Sequence, residues 1–336
     1  MKKRGNRKKK RIIFAIVNGA LLLVMAACLI TGAVLSHKLD SQREAERWRG
    51  EGELEFSQIS CFIPVDEKIG LDKIAAFRTK MSEELHKAAL DIDNDSTLFV
   101  DAWSCTGKVS VSSDNGKGDA AVIAVGGEFF EFHPLRLISG SYITQRDLMK
   151  DRVLLDEDLA WLLYGGTDIA GLSMKINGVP YMIAGVVERE QDRFSTSAYS
   201  SGRGLYMSYD GYAQLFEDAG ISCYEVALAN PVKGFALGVV KGAFPIGRGE
   251  IVENSRRFEF GRLLSIAKQF GSRSMQTTGV IYPYWENAAR SVEDWCALLA
   301  FAALLCGALP AVTALVVVIR LLVKGKEKLE DDIVPQ

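Results

Sequence analysis

Three histidines in a chain of 336 residues leave little room for metal or imidazole chemistry. His37, His86 and His133 lie far apart, and none has a second metal-ligating residue at a recognisable spacing. No G-x-x-x-x-G-K-[ST] run is present, so the chain has no loop to cradle a nucleotide phosphate and is not its own ATPase. No G-x-S-x-G elbow occurs either, since Ser139-Gly140-Ser141 lacks the flanking pattern. These absences argue against an enzyme and against a bound cofactor or metal. Cysteine is also sparse. Cys28, Cys296 and Cys306 fall in apolar runs, where they pack as small hydrophobes. Cys61, Cys105 and Cys223 lie between those runs; their odd number allows at most one bridge and leaves a free thiol. A domain of this size needs no disulfide for its core, and no pair is preferred by the sequence.

Charge is missing altogether from two long stretches. Residues 12–36, IIFAIVNGALLLVMAACLITGAVLS, and residues 296–319, CALLAFAALLCGALPAVTALVVVI, contain no Asp, Glu, Lys or Arg. At about 1.5 Å per residue each spans a hydrocarbon core of roughly 30 Å as a helix. Pro310 is tolerated inside such a span with a kink. The first run is too long for the apolar region of a cleaved signal peptide, which is about 7–15 residues. Met25-Ala26-Ala27-Cys28 resembles a lipoprotein box, but the apolar run continues past Cys28, which favours a plain anchor.

Basic residues flank both runs on one side: eight Lys/Arg in residues 1–11, then Arg320, Lys324, Lys326 and Lys328 after the second run. The expected layout is a basic cytoplasmic arm (1–11), a first span (12–36), an outer segment (37–295), a second span (296–319) and a cytoplasmic tail (320–336). This places a two-pass protein in the cell membrane with both termini cytoplasmic. Once the arm and tail are set aside, 28 basic and 38 acidic residues remain, so the outer segment is acidic although the whole chain is near neutral. That balance argues against nucleic acid as a partner.

Within the outer segment, residues 37–53 are charged and helix-compatible, and should extend the first helix as a stalk until Gly50 and Gly52 break it. Residues 54–65 read as a strand. Residues 71–90 place Ile74, Phe77, Met81, Leu85 and Ala88 at helical spacing, which predicts an amphipathic helix. Strands are expected at 97–103, 108–112, 120–125 and 152–155, with a short helix over 156–164. Residues 174–187 read as a hairpin turning at Asn177-Gly178. Strand–helix pairs follow at 204–218 and 224–244. Mixed short strands and helices, with no internal repeat and no regular alternation, indicate an α+β fold.

Residues 188–204 are serine-rich and read as a loop. Asp91, Asp93 and Asp95 begin like a calcium loop, but Ser96 and Ala102 stand where Gly and Glu are needed, so an acidic turn is expected. Tyr284, Trp285 and Trp295 precede the second span and are candidate membrane-interface aromatics. Trp295 is nearest the headgroups; the others could also pack against the stalk or a partner helix.

The run GGEFFEFHPLRLISGSYI (126–143) could hold a site at His133, but no second catalytic group is near it in sequence, so a structural histidine is expected. This run is followed by DRVLLDEDLAWLLYGGTDIAGLSMKINGVPYMIAGVV (151–187). Together they resemble the extracellular core domain of MacB/FtsX-type ABC transporter permeases. The features that carry the resemblance are Phe129 and Phe130, Gly140 and Tyr142, Val153–Leu155, Tyr164-Gly165, Asp168, Gly171, Gly178, and Gly185-Val186-Val187. A PYWENAAR-like stalk adds to it. The resemblance implies a MacB-like core between two transmembrane helices, acting as a permease-type subunit of an ABC transporter or mechanotransmission complex. It implies a full-length permease or a separate ATP-binding subunit as partner, and a homo- or hetero-oligomer. Permeases of this type have two more spans, so a shortened form is expected from a sequence ending seventeen residues past Ile319. The alternative is a stand-alone, membrane-tethered binding or sensing module.

Overall fold

The computed structural model describes residues 2–64, 66–88, 98–199 and 203–333. Asp91, Asp93 and Asp95, and part of the serine-rich loop, lie outside the described residues. In chain order the elements begin with α1 (Lys2–His37), α2 (Glu44–Arg49), β1 (Phe56–Phe62) and α3 (Leu71–Lys87). Next come β2 (Phe99–Ser112), β3 (Lys117–Gly127), α4 (Phe129–Phe132), β4 (Leu137–Gly140), β5 (Arg152–Asp156) and α5 (Glu157–Tyr164). Then follow β6 (Ser173–Ile176), β7 (Val179–Val187), α6 (Arg193–Ala198), β8 (Gly204–Ser208) and α7 (Tyr209–Leu215). The chain closes with β9 (Cys223–Ala229), α8 (Phe235–Ala243), β10 (Glu250–Glu253), α9 (Phe260–Ile266) and α10 (Tyr284–Ile333). The fold is α+β, as the mixed element order implied.

Two compact units form. One contains residues 39–257 and 271–291; the other contains residues 1–38, 258–270 and 292–336. In the second unit, α1 from Lys9 to His37 and α10 up to Lys324 are long and apolar enough to cross a membrane. The Cys296 thiol lies 3.5 Å from the Gly32 carbonyl, and Gly307 faces Met25, so the two apolar runs touch there. Arg262 on α9 pairs with Glu293 at 3.8 Å.

The first unit is built on one sheet with the order β10-β1-β9-β2-β3-β8-β5-β7-β4. β6 bridges β7 to the far end of β2 through Val111 opposite Ile176 and Ser112 opposite Lys175. Strands β2, β3, β8, β5, β7 and β6 therefore close into a ring. β9, β1 and β10 continue from the other end of β2 as an open arm. β2 is one strand of 14 residues where two short ones were expected: its first half serves the arm and its second half the ring.

Local chemistry explains most elements. α3 buries Ile74, Phe77, Met81 and Leu85, the predicted stripe, while Ala88 lies beyond the helix end and half-buried. α5 starts where Asp156 accepts the Leu159 N–H at 2.8 Å, and ends at Gly165 in the left-handed region, φ 73°. The β6–β7 turn has positive φ at both Asn177 and Gly178, the type I′ geometry that matches strand twist. Gly140 and Gly185 pair across β4 and β7, and a Cβ on Gly140 would sit 2.1 Å from the Ala184 carbonyl oxygen. Only glycine permits that approach.

Two further expectations need correction. Residues 38–49 are not a continuous stalk: α1 stops at His37, a 3₁₀ turn follows at Asp40–Gln42, and α2 ends at Gly50. The segment folds into the domain instead, burying Leu39, Gln42, Glu44 and Ala45. The 188–204 loop contains α6, because Asp192 caps it by accepting the Phe194 and Ser195 N–H groups.

Candidate functional site

The sequence singled out two stretches separately, GGEFFEFHP and PYWENAAR, and packing brings them together. α4 carries Phe129 and Phe132 into a cluster on one face of the arm, both buried, with Phe130 at its edge. Trp285, on the first turn of α10, meets Phe129 edge-on at 5.5 Å and lies 4.3 Å from the His133 ring. Tyr284 stacks on Tyr199 at 4.3 Å, and its hydroxyl is 3.5 Å from that of Tyr206. Tyr284 and Trp285 are therefore interior residues of the domain, 8% and 2% exposed. Their rings are spent on protein contacts rather than on a lipid interface. Trp295 differs: it is 42% exposed and touches Phe270 edge-on at 5.8 Å.

His133 is likewise interior. Its Nε2 is 2.6 Å from a Glu225 carboxylate oxygen, and Phe129 and Trp285 cover its ring. Glu225 also accepts the Ser60 hydroxyl at 2.9 Å, and Asn254 Nδ2 donates to Ser60 Oγ at 2.6 Å. The imidazole links α4 to the strand arm. The other family-motif residues serve the frame: Gly140, Gly165, Gly171 and Gly178 hold positive φ angles, and the Tyr142 hydroxyl donates to the Leu135 carbonyl.

Beside this cluster is a network of buried charges that the sequence did not reveal. Arg257, fully buried just after β10, donates from Nη1 to Gln42 Oε1 at 2.9 Å. From Nη2 it donates to both Glu286 oxygens, at 2.6 and 2.8 Å. Glu286 accepts a third bond, from Arg290 Nε at 2.6 Å one turn along α10. Arg290 continues to Glu250 on β10 at 2.8 Å and lies over the Tyr282 ring at 3.8 Å. Burial works against the charge of Arg290, but Glu286 and Glu250 outweigh it and its pKa rises. Burial pushes Glu250 up, yet Arg290 and the Tyr282 hydroxyl hold it below its ordinary value.

The incoming chain is held by a second set of bonds. The Glu44 N–H donates to Gln58 Oε1 at 2.9 Å, and Gln58 Nε2 donates to the Ser41 carbonyl at 2.7 Å. Arg47 donates to Glu44 at 2.9 Å, to the Asp40 carbonyl at 2.7 Å and to the Glu131 carbonyl of α4 at 2.6 Å. Desolvation raises the Glu44 carboxyl to about 7 despite Arg47. Residues 39–49, which follow the first apolar run, and residues 282–290, which precede the second, are thus bonded to the same arm. One sequence signal was available: Glu286 and Arg290 stand four apart on a helix face. Arg257, within NSRRFEF, had none.

The cysteines follow the sheet. Cys61 lies in the core on one face and Cys223 in the cluster on the other. Cys105 shares the face of Cys61 but lies on β2, separated by the whole of β9, about 9–10 Å across two strand spacings. All three are free and buried, and burial holds their thiols protonated, Cys105 up to about 12. Among the described residues no cluster of His, Cys, Asp or Glu is arranged to hold a metal.

What these elements define is an α+β domain carried between two candidate membrane-spanning helices, with its incoming and outgoing segments locked into one strand arm. The MacB-like periplasmic core domain matches residues 64–234, about half of the chain, and the chain belongs to that family. The family is a component of ABC-type transporter permeases, not a classical enzyme. Solved structures similar to this chain include the periplasmic region of MacB from Actinobacillus actinomycetemcomitans. It has 14% identity and a TM-score of 0.41, over 69% of this chain and all of that one. The extracellular domain of the noncanonic ABC-type transporter YknZ from Gram-positive bacteria has 13% identity and a TM-score of 0.38, over 59% and 100%. A domain of a putative permease from Porphyromonas gingivalis has 12% identity and a TM-score of 0.34, over 58% and 88%. None of the curated proteins matches the chain.

Proposed function

We propose that this chain is a permease-type subunit of an ABC transporter or mechanotransmission complex, working through its domain outside the membrane. The ATP-binding subunit, and a full-length permease where one is needed, would be separate chains. Residues 37–295 lie outside, both termini are cytoplasmic, and Trp295 sits at the outer headgroup level. The observation that carries this reading is Arg257. One buried guanidinium is bonded to Gln42 on the incoming segment and to Glu286 on the outgoing helix. Displacement of either segment therefore meets a charged junction instead of a slack loop, as force transmission requires. Mild-detergent purification of the tagged full chain should recover a permease or nucleotide-binding subunit, in a homo- or hetero-oligomer. Recovery of the chain with neither partner would overturn the proposal.

A second reading, a stand-alone membrane-tethered sensing module, draws on a cleft of about 550 Å³ lined by Tyr199, Tyr206, Tyr282 and Tyr284. Its size suits a small ligand. This reading requires ligand binding by the purified chain with no ATPase present.

A further inference from the structure

A smaller pocket, about 230 Å³, opens where α3, β2, β3, α4 and the start of α7 meet. Its floor is the glycine pair that begins the family motif. The Trp103 indole lies directly over Gly126, where a Cβ would come within 2.3 Å of the ring. Gly127, at φ 65°, turns the chain toward α4. Glycine at 126 thus lets an aromatic plate form one wall of a pocket rather than being displaced by a side chain.

The pocket is lined by the donors of Trp103, Arg78 and Lys150 and by one carboxylate, Asp210. Trp103 is 4% exposed, yet its Nε1–H has no hydrogen-bond partner among the described residues. A buried N–H left without a bond is costly, and its presence beside a cavity marks a place for an acceptor. Arg78 lies over the same ring at 4.9 Å. Its Nε and Nη2 are fixed on Asp101 at 2.7 and 2.6 Å, and Asp101 is steadied by the Tyr224 hydroxyl at 2.7 Å. The guanidinium is preorganised in this way, with no bond to Nη1 among the described residues. Lys150 contributes a second cation, held by the Gln145 carbonyl at 2.9 Å and lying 3.9 Å from Asp210. The remaining wall is apolar, with Leu71, Ile74, Phe129 and Ile143.

We propose that this pocket binds a carboxylate borne on an apolar side chain, as in a free amino acid or the C-terminal residue of a peptide. The carboxylate takes the Trp103 N–H and the Arg78 and Lys150 cations, and the side chain lies against Ile74 and Phe129. The volume is below the roughly 300–1,000 Å³ of pockets for larger ligands, which fits a single residue. A bond from a charged acceptor to a buried neutral donor is among the stronger kinds, so the indole N–H has a measurable share.

The test is calorimetric titration of the purified full chain in detergent with N-acetyl-leucine, N-acetyl-leucinamide and leucine, each to about 10 mM, a range that covers millimolar affinity. Saturable binding of N-acetyl-leucine but not of the amide is expected. Binding of leucine in place of its acetyl form would still support the carboxylate site and identify a free amino acid as the source. Trp103→Phe keeps an aromatic face over Gly126 but removes the N–H together with part of the indole's volume. Affinity should fall about tenfold, with some loss of thermal stability from the void left in the core. Lys150→Met should weaken binding without affecting the Arg78–Asp101 pair. Equal binding of acid and amide, no saturable binding of any probe, or undiminished affinity in Trp103→Phe would each overturn the proposal.

Discussion

The closed ring and the open arm belong to one sheet but are held together by different physics. On the ring strands most buried side chains are apolar, among them Val109, Val111, Val122, Leu155, Met174, Ile176, Ile183 and Leu205, with Asp101, Ser104 and Asp156 as buried polar exceptions. In the arm, Ser57, Gln58, Ser60, Glu225 and Glu253 are buried on the strands themselves, with Asn254 and Arg257 just beyond β10. Apolar packing in a closed ring is non-directional and leaves no strand edge exposed. Buried charges are directional, and they tolerate neither loss of a partner nor a change of register. The arm carries the directional bonds where the chain comes in and goes out. The ring carries the stability that such bonds do not supply.

The largest effect should come from breaking one charge in the arm. Arg257→Met leaves Glu286 with Arg290 as its remaining cation and Gln42 without its donor. Loss of about 3–5 kcal/mol is expected, measured by denaturant unfolding of the full chain in detergent. Arg257→Met combined with Glu286→Leu should recover much of that loss, because it removes the buried carboxylate as well. If the double variant keeps its stability but no longer co-purifies with partners, the junction matters for transmission and not for folding. A single variant as stable as the parent would erase the contrast between arm and ring.

The ring responds through volume. Leu155 is fully buried on β5 among Ile183, Leu205 and Met207 in the core cluster. Leu155→Ala should cost about 3 kcal/mol through lost transfer energy and a residual cavity. The midpoint should fall with little change in denaturant slope, and partner recovery should be unaffected. An equal loss of partner recovery here would mean that the two regions are not functionally distinct.

The sequence disclosed these regions unequally. Period and turn chemistry made α3, α5 and the Asn177-Gly178 hairpin legible, since each is decided within a few residues. Ring closure was not legible, because it rests on two residue pairs between β2 and β6 that no local pattern announces. The family motif was found, but its partner surface on α10 was not, and Tyr284 and Trp285 read as membrane aromatics until packing enclosed them. The junction was hidden most completely. Arg257 and Gln42 are 215 residues apart, and an arginine among polar neighbours looks like a solvated surface until the whole arm is folded. The preceding arginine, Arg256, is about a third exposed, with the same residue type and neighbourhood. Only tertiary structure separates the two.

Glu44 gives the finest test of the contrast, because it places an ionisable group with a shifted pKa where the chain first joins the arm. Its carboxyl is raised from 4.5 to about 7, chiefly by desolvation, with Arg47 opposing. The folded chain therefore keeps this proton up to about pH 7, whereas the unfolded chain gives it up near 4.5. Between those values the folded state binds more protons, so stability falls as pH rises. The part of the fall due to this group should be roughly 3 kcal/mol, complete above pH 7 and absent below about 4.5. Glu44→Gln keeps the shape and cannot ionise, so its stability should be flatter between pH 5 and 7.5 and should exceed the parent's at the upper end. In the ring Asp156, beside Leu155, is also raised by burial, to about 6. Leu155→Ala keeps both carboxyls and should shift the whole pH profile downward while retaining the slope that Glu44→Gln reduces. Parallel profiles for Glu44→Gln and the parent would show that the incoming segment is not desolvated in the folded chain, and that the arm binds it less tightly than its hydrogen bonds imply.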